Sequence, residues 1–134
     1  MSEATIQARL MAALAPLVAE GSVLLNDHET AATASRHRSP WLVVELADTV
    51  KGETANFRNA TYVYEPYVAL IVFPHGSAEK KMIDTFQVLR QQVVAALMET
   101  EDVEAVETAG GLARYPNSDG LIQRLRVRIT EYQV

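Results

Sequence analysis

Three groups of side chains in this 134-residue chain have the types that do chemistry: three histidines, an acidic run and a series of arginines. His28, His37 and His75 all fall in polar connections. No two stand at the i, i+4 spacing that presents a pair of imidazoles to one metal ion, so they read as surface histidines. Glu99, Glu101, Asp102, Glu104 and Glu107 concentrate negative charge, but not in the Asp-x-Asx-x-Asx-Gly order of a calcium loop. A solvated face explains them. Gly110 and Gly111 open the run GGLARY, which lacks the Lys-Ser/Thr ending of a phosphate loop and reads as a turn. Ser22, Ser35, Ser39, Ser77 and Ser118 lie outside any G-x-S-x-G elbow, and Ser77 is placed to cap a helix. Asn59-Ala60-Thr61 matches a glycosylation acceptor, a pattern with meaning only in an exported protein. These residues assemble no catalytic, metal-ligating or cofactor-binding set, and the chain is expected to work by binding other protein surfaces.

The sharpest local pattern is near the C-terminus. Arg124, Arg126 and Arg128 alternate with Leu125, Val127 and Ile129, so a strand there carries guanidiniums on one face and aliphatic side chains on the other. Arg114 adds a charge nearby. One account is the wet face of a sheet, which arginine stems cover well. The other is an acidic partner, because three like charges two residues apart repel one another. That partner is either nucleic acid or a neighbouring subunit's carboxylates, with the 99–107 segment as their source, and the subunit interface is favoured. Tyr62, Tyr64 and Tyr67 are of a type enriched at interfaces and equally suited to cross-strand packing.

These side chains need elements to hold them. Ile6, Leu10, Leu14 and Leu17, with Met11 and Val18, mark an amphipathic helix over 3–19 that Pro16 should kink or end, with Gly21 as its stop. Residues 23–25 suit a short strand. Residues 26–40 (NDHETAATASRHRSP) are polar and aperiodic and read as an exposed connection. Residues 41–46 suit a central strand, and 48–60 a long polar hairpin tip. Residues 61–73 read as one long strand in which Pro66 marks a bulge or an edge. Met82, Phe86, Leu89, Val93 and Leu97 mark the clearest helix. A strand near 103–106, a turn-rich stretch and a strand over 121–132 complete the order. The expected fold is α+β: one domain spanning 1–134, with a mostly antiparallel sheet of four to five strands and two main helices on one face.

Composition narrows the function classes. The balance of 12 basic and 17 acidic residues, net charge −5, argues against a surface built throughout to neutralise phosphates, though not against a local basic face. Without cysteine there is no disulfide framework, thiolate metal site or cysteine nucleophile, and an intracellular site of synthesis fits. The apolar runs are too short to span a membrane, and Met1-Ser2-Glu3 begins unlike a signal peptide.

In layout the chain resembles the tail-terminator and tail-completion proteins of long-tailed bacteriophages. The resemblance rests on an N-terminal helix (IQARLMAALAPL), a strand begun at a proline (SPWLVVEL) and a long polar hairpin. After these come the strand YVALIVF, the helix MIDTFQVLRQQVVAALM and the closing strand LIQRLRVRITEY. It implies a structural virion protein at the tail–neck junction, assembled in the host cytoplasm, with no catalytic residues, cofactor or metal. It also implies a homo-oligomer, a hexameric ring stacked on the tail tube protein. That ring would halt tube growth and meet a neck or connector protein on its other side, and the sheath where the tail contracts, with DNA only passing through the lumen. On that reading Arg36 and Arg38 in the 26–40 loop, and Lys51 and Arg58 in the 48–60 hairpin, face partners. Arg124, Arg126 and Arg128 then line the lumen or pair with the next subunit. The rivals are another phage neck or head-completion subunit, a small α+β enzyme or ligand-binding dimer, and a nucleic-acid-binding module.

Overall fold

The computed structural model describes residues 3–33, 40–46, 50–55, 60–74, 79–116 and 119–133. Its first helix, α1 (Glu3–Leu14), buries Ile6, Leu10 and Leu14, the stripe expected from their spacing. It ends at Leu14, the early stop expected of Pro16, which has no N–H to donate and whose ring crowds the carbonyl one turn back. The chain tightens instead into a 3-10 turn over Ala15–Leu17. Gly21, at φ +81°, supplies the left-handed residue that turns the chain towards the sheet.

The first strand, β1 (Val23–Leu25), pairs in parallel with β2 (Trp41–Glu45). Parallel neighbours need a crossover, and residues 26–40 provide it. This corrects the expectation of an irregular connection, because a short helix, α2 (His28–Thr33), forms inside it. Two side chains create it. Asn26, at φ +51°, ends β1, donating its amide to Val44 O (2.8 Å) and accepting the Leu46 amide on Oδ1 (3.0 Å). Asp27 then caps the helix, accepting the Thr30 amide on Oδ1 (2.9 Å) and the Thr30 hydroxyl on Oδ2 (2.6 Å).

The expected long strand over 61–73 is present with one interruption. β4 (Ala60–Tyr64) and β5 (Tyr67–Val72) pair with the same edge of β8 (Leu121–Gln133), and the register runs without slip from Tyr64↔Ile129 to Tyr67↔Arg126. Pro66 breaks the ladder for lack of an N–H, yet its carbonyl still accepts the Val127 amide (2.9 Å). β3 (Val50–Ala55) pairs with β4, so most of the supposed 48–60 hairpin tip is strand. β6 (Val103–Thr108) and the two-residue β7 (Ala113–Arg114) pair with the other edge of β8. The sheet therefore has eight strands, in the order β1-β2-β5-β8-β4-β3 with β6 and β7 beside β8, rather than four to five. The additions are β3, the split at Pro66 and β7. The α+β class and the mostly antiparallel pairing are as expected.

α1 and the long α3 (Glu79–Met98) cover one face. Met82, Phe86, Leu89, Val93 and Leu97 of α3 and Ile6, Leu10 and Leu14 of α1 close over Leu42, Val44, Val68, Leu70, Leu125, Val127 and Ile129. Burying each such leucine or phenylalanine contributes on the order of 1.5–3 kcal/mol, which makes this layer the main source of stability. The expected Ser77 cap of α3 lies outside the described residues. On the opposite face a smaller cluster gathers Ala31 of α2 with Trp41, Val43, Ala69, Ile71, Phe73, Tyr115 and Ile122.

Candidate functional site

β8 carries the arginine series as the alternation requires. Leu125, Val127 and Ile129 are buried under the helices, and Arg124, Arg126 and Arg128 stand on the other face. Their partners come from this same chain. Arg124 Nε lies 2.8 Å from Glu45 Oε1 on β2. Arg126 Nη2 lies 3.1 Å from Glu107 Oε2 on β6, and its Nε 3.6 Å from Glu65 Oε2 in the break between β4 and β5. Arg128 Nε lies 3.3 Å from Glu104 Oε2, an oxygen that also accepts the Thr130 hydroxyl at 2.6 Å. Three guanidiniums meet four carboxylates, so mutual repulsion is cancelled within the sheet. The hydrogen bond that Arg126 donates to Glu107, with the charges of Glu107 and Glu65, raises the pKa of Arg126 above the usual guanidinium value.

The acidic run is therefore divided among local partners. Glu104 and Glu107 serve β8, while Glu101 and Asp102 lie 3.7 Å and 3.0 Å from the Arg9 guanidinium on α1. Sequence periodicity does not reveal this pairing. Glu104 and Glu107 are three residues apart and should face opposite ways on a regular strand. A register shift between Val103 and Ala105 brings both to the arginines. Among the described residues no three acids or histidines gather as a metal site.

Beside the ionic row, α2, β7 and β8 enclose a cleft of about 600 Å³ lined by His28, Glu29, Arg114, Tyr115, Ile122 and Arg124, among others. Tyr115 anchors it. Its hydroxyl donates to the His28 carbonyl (3.1 Å), its ring meets Phe73 edge-on at 5.9 Å, and burial raises its phenol pKa. His28 Nε2 is shielded from solvent, makes no hydrogen bond among the described residues and lies 3.7 Å from Glu45 Oε1. Arg114 stands exposed at the rim. The histidine pattern had suggested only a surface residue at 28; the cap at Asp27 is the sequence signal that places it on a helix packed against the sheet.

Of the other residues expected to face partners, Arg36, Arg38 and Arg58 lie outside the described residues, as do His37 and His75. Lys51 falls on the backbone of β3, its side chain likewise outside what is described. Tyr64 is buried and Tyr62 packs against the same core, so both belong to cross-strand packing. Tyr67 sits opposite Arg126 in register, on the ionic face.

This is an eight-stranded α+β protein with an ionic row and a cleft on the less covered face of its sheet. Compared with known proteins, the chain matches no family model and no curated protein. No described helix is long and apolar enough to cross a membrane.

Proposed function

We propose that the chain is a structural subunit of a bacteriophage virion that closes the tail tube as a ring, ending tube growth and offering the surface on which the head or neck joins. The observation that carries this reading is the order of elements. α1, a strand following Pro40, the β3–β4 hairpin, the interrupted β4–β5 strand, α3 and the closing β8 come in the layout on which the resemblance rests. The partners implied are further copies of the chain in a hexameric ring, the tail tube protein, a neck or connector protein and, in a contractile tail, the sheath.

The ionic row bears on the role of DNA. A face with four carboxylates to three guanidiniums is poorly suited to holding phosphates, which supports DNA as a passenger in the lumen rather than a ligand of β8. A neck or head-completion subunit would share ring assembly and differ in partner and symmetry.

Light scattering of the purified chain over a range of concentrations, followed by negative-stain imaging with isolated tail tubes, tests the proposal. Rings in solution, or caps on tube ends, are the expected result. A compact dimer whose mass is independent of concentration, with no binding to tubes, overturns it in favour of a ligand-binding protein using the cleft.

A further inference from the structure

The backbone at the end of α3 is satisfied, with the Thr100 hydroxyl donating to Ala96 O (3.1 Å) and the Thr100 amide to Leu97 O (3.0 Å), but the carboxylate that follows it has no partner among the described residues. The helix has no basic residue in its last turn, and Glu99 follows it directly, adding a carboxylate where the backbone carbonyls already concentrate negative charge. Glu101 and Asp102 have Arg9, but Glu99 has no ion pair or side-chain hydrogen bond among the described residues. Met98 beside it is 46% exposed, one of three large apolar side chains left to solvent among the described residues.

The cleft has the complementary character. Arg9, Arg90, Arg124, Arg126 and Arg128 all hold hydrogen-bond or ion-pair partners. The Arg114 side chain, alone among the described arginines, has none among the described residues. It stands at the rim of a cleft whose apolar wall includes Ile122 and Pro116.

The two patches cannot meet within one molecule. The cleft lies at the start of β8, where Arg114 pairs in register with Leu121, and on the face away from α3. The end of α3 lies near the far part of β8, where Asp102 O accepts the Thr130 amide. Seven steps along the strand, from Ile122 to Ile129, separate the two ends by about 23 Å at about 3.3 Å per step. Complementary patches on different regions of one chain define a head-to-tail contact, which propagates from copy to copy and closes as a ring when the rotation allows.

We infer that the α3 terminus of one copy, Met98 and Glu99, docks into the Arg114 cleft of the next, Glu99 pairing with Arg114 and Met98 packing on the apolar wall. The inference rests on the ring reading above and names the surface through which the ring is built. Arg114 of the neighbour compensates the Glu99 carboxylate.

Charge reversal tests it. Glu99→Arg and Arg114→Glu are both at exposed positions, so each variant should keep the native circular dichroism and melt no more than a few degrees from the native chain. In sedimentation velocity up to millimolar concentration, each alone should weaken self-association by about tenfold or more, since like charges then face each other. An equimolar mixture of the two variants restores both pairings and should re-form the native assembly. If both variants associate as the native chain does, or the mixture fails to rescue, the contact is overturned while the ring reading survives on other surfaces. A native chain that stays monomeric throughout overturns the contact as well, and the ring reading is then decided by whether tube ends are capped.

Discussion

Single side chains settle how the crossover and the last turn are built. Asp27 starts α2 through two hydrogen bonds from Thr30, and these, the hydroxyl's first and the amide's second, hold its carboxyl below its ordinary value of 3.8. A carboxylate with a depressed folded pKa contributes stability above the unfolded value and loses it as pH falls through the folded one. α2 should therefore loosen below pH 3.8, read by NMR as movement of the 28–33 amides together with the Asp27 titration. Asp27→Asn should keep the cap and abolish that acid dependence; an unchanged pH response in the variant would remove Asp27 as its source. Gly120 is required for a different reason. A Cβ there would stand 2.8 Å from the buried Phe73 ring and 3.2 Å from Val72 O. Gly120→Ala should cost about 1–3 kcal/mol in denaturant unfolding, as overpacking does. Gly111→Ala, with no atom within 4 Å of its Cβ, should change stability by less than about 0.5 kcal/mol. Equal costs at both positions would contradict the packing argument.

Among elements, β8 shows which interactions matter on each face. Gln123, buried on the helix side, accepts from Arg90 Nη1 at 3.0 Å and donates to Gly110 O at 3.2 Å, tying α3 and the turn after β6 to the strand. Arg124, next along and on the open face, holds Glu45 with both side chains partly in water. Gln123→Ala strands two partners and should cost about 1–3 kcal/mol. Arg124→Gln loses only a solvent-screened pair and should cost under about 1 kcal/mol. Chemical denaturation of the two variants compares them, and a costlier Arg124 would make the ionic row structural. The helices were legible because burial repeats every three or four residues in Ile6–Leu10–Leu14 and from Met82 to Leu97. β8 was legible because its faces alternate. β3 was not, since VKGETA has neither alternation nor apolar weight and is strand only because β4 offers it an edge. α2 was not, because a six-residue helix whose deeply buried side chain, among those described, is the small Ala31 leaves no periodicity to read. The partners of the arginines were hidden by the register shift in β6, and the cleft by the distance in sequence between His28 and Arg114.

For the whole molecule, the topology concentrates stability at the centre of one sheet. β8 is paired on both edges, by β5 and β4 on one side and by β6 and β7 on the other, and β5 is enclosed between β2 and β8. The core of both faces passes through these two strands: Val68, Leu70, Leu125 and Val127 under the helices, and Ala69, Ile71 and Ile122 against α2 and Tyr115. Opening either strand exposes both cores together, so their amides should exchange only when the whole molecule unfolds. β1, with three residues and one described partner, β3 at the far edge, and α2 with its single cap hold much less. Native-state hydrogen exchange in low denaturant should divide accordingly. The β5 amides and those of β8 over 121–127 should share the global free energy and its denaturant slope, while amides of β3 and α2 exchange faster with little slope. Protection of α2 equal to that of β5 would refute this division. The division also bears on assembly, because the Arg114 cleft is walled on one side by stable β8 and on the other by the weakly held α2. Docking of a neighbouring copy should therefore slow exchange most in residues 28–33, and the Arg114→Glu variant, free of that contact, should lose the concentration dependence of their protection.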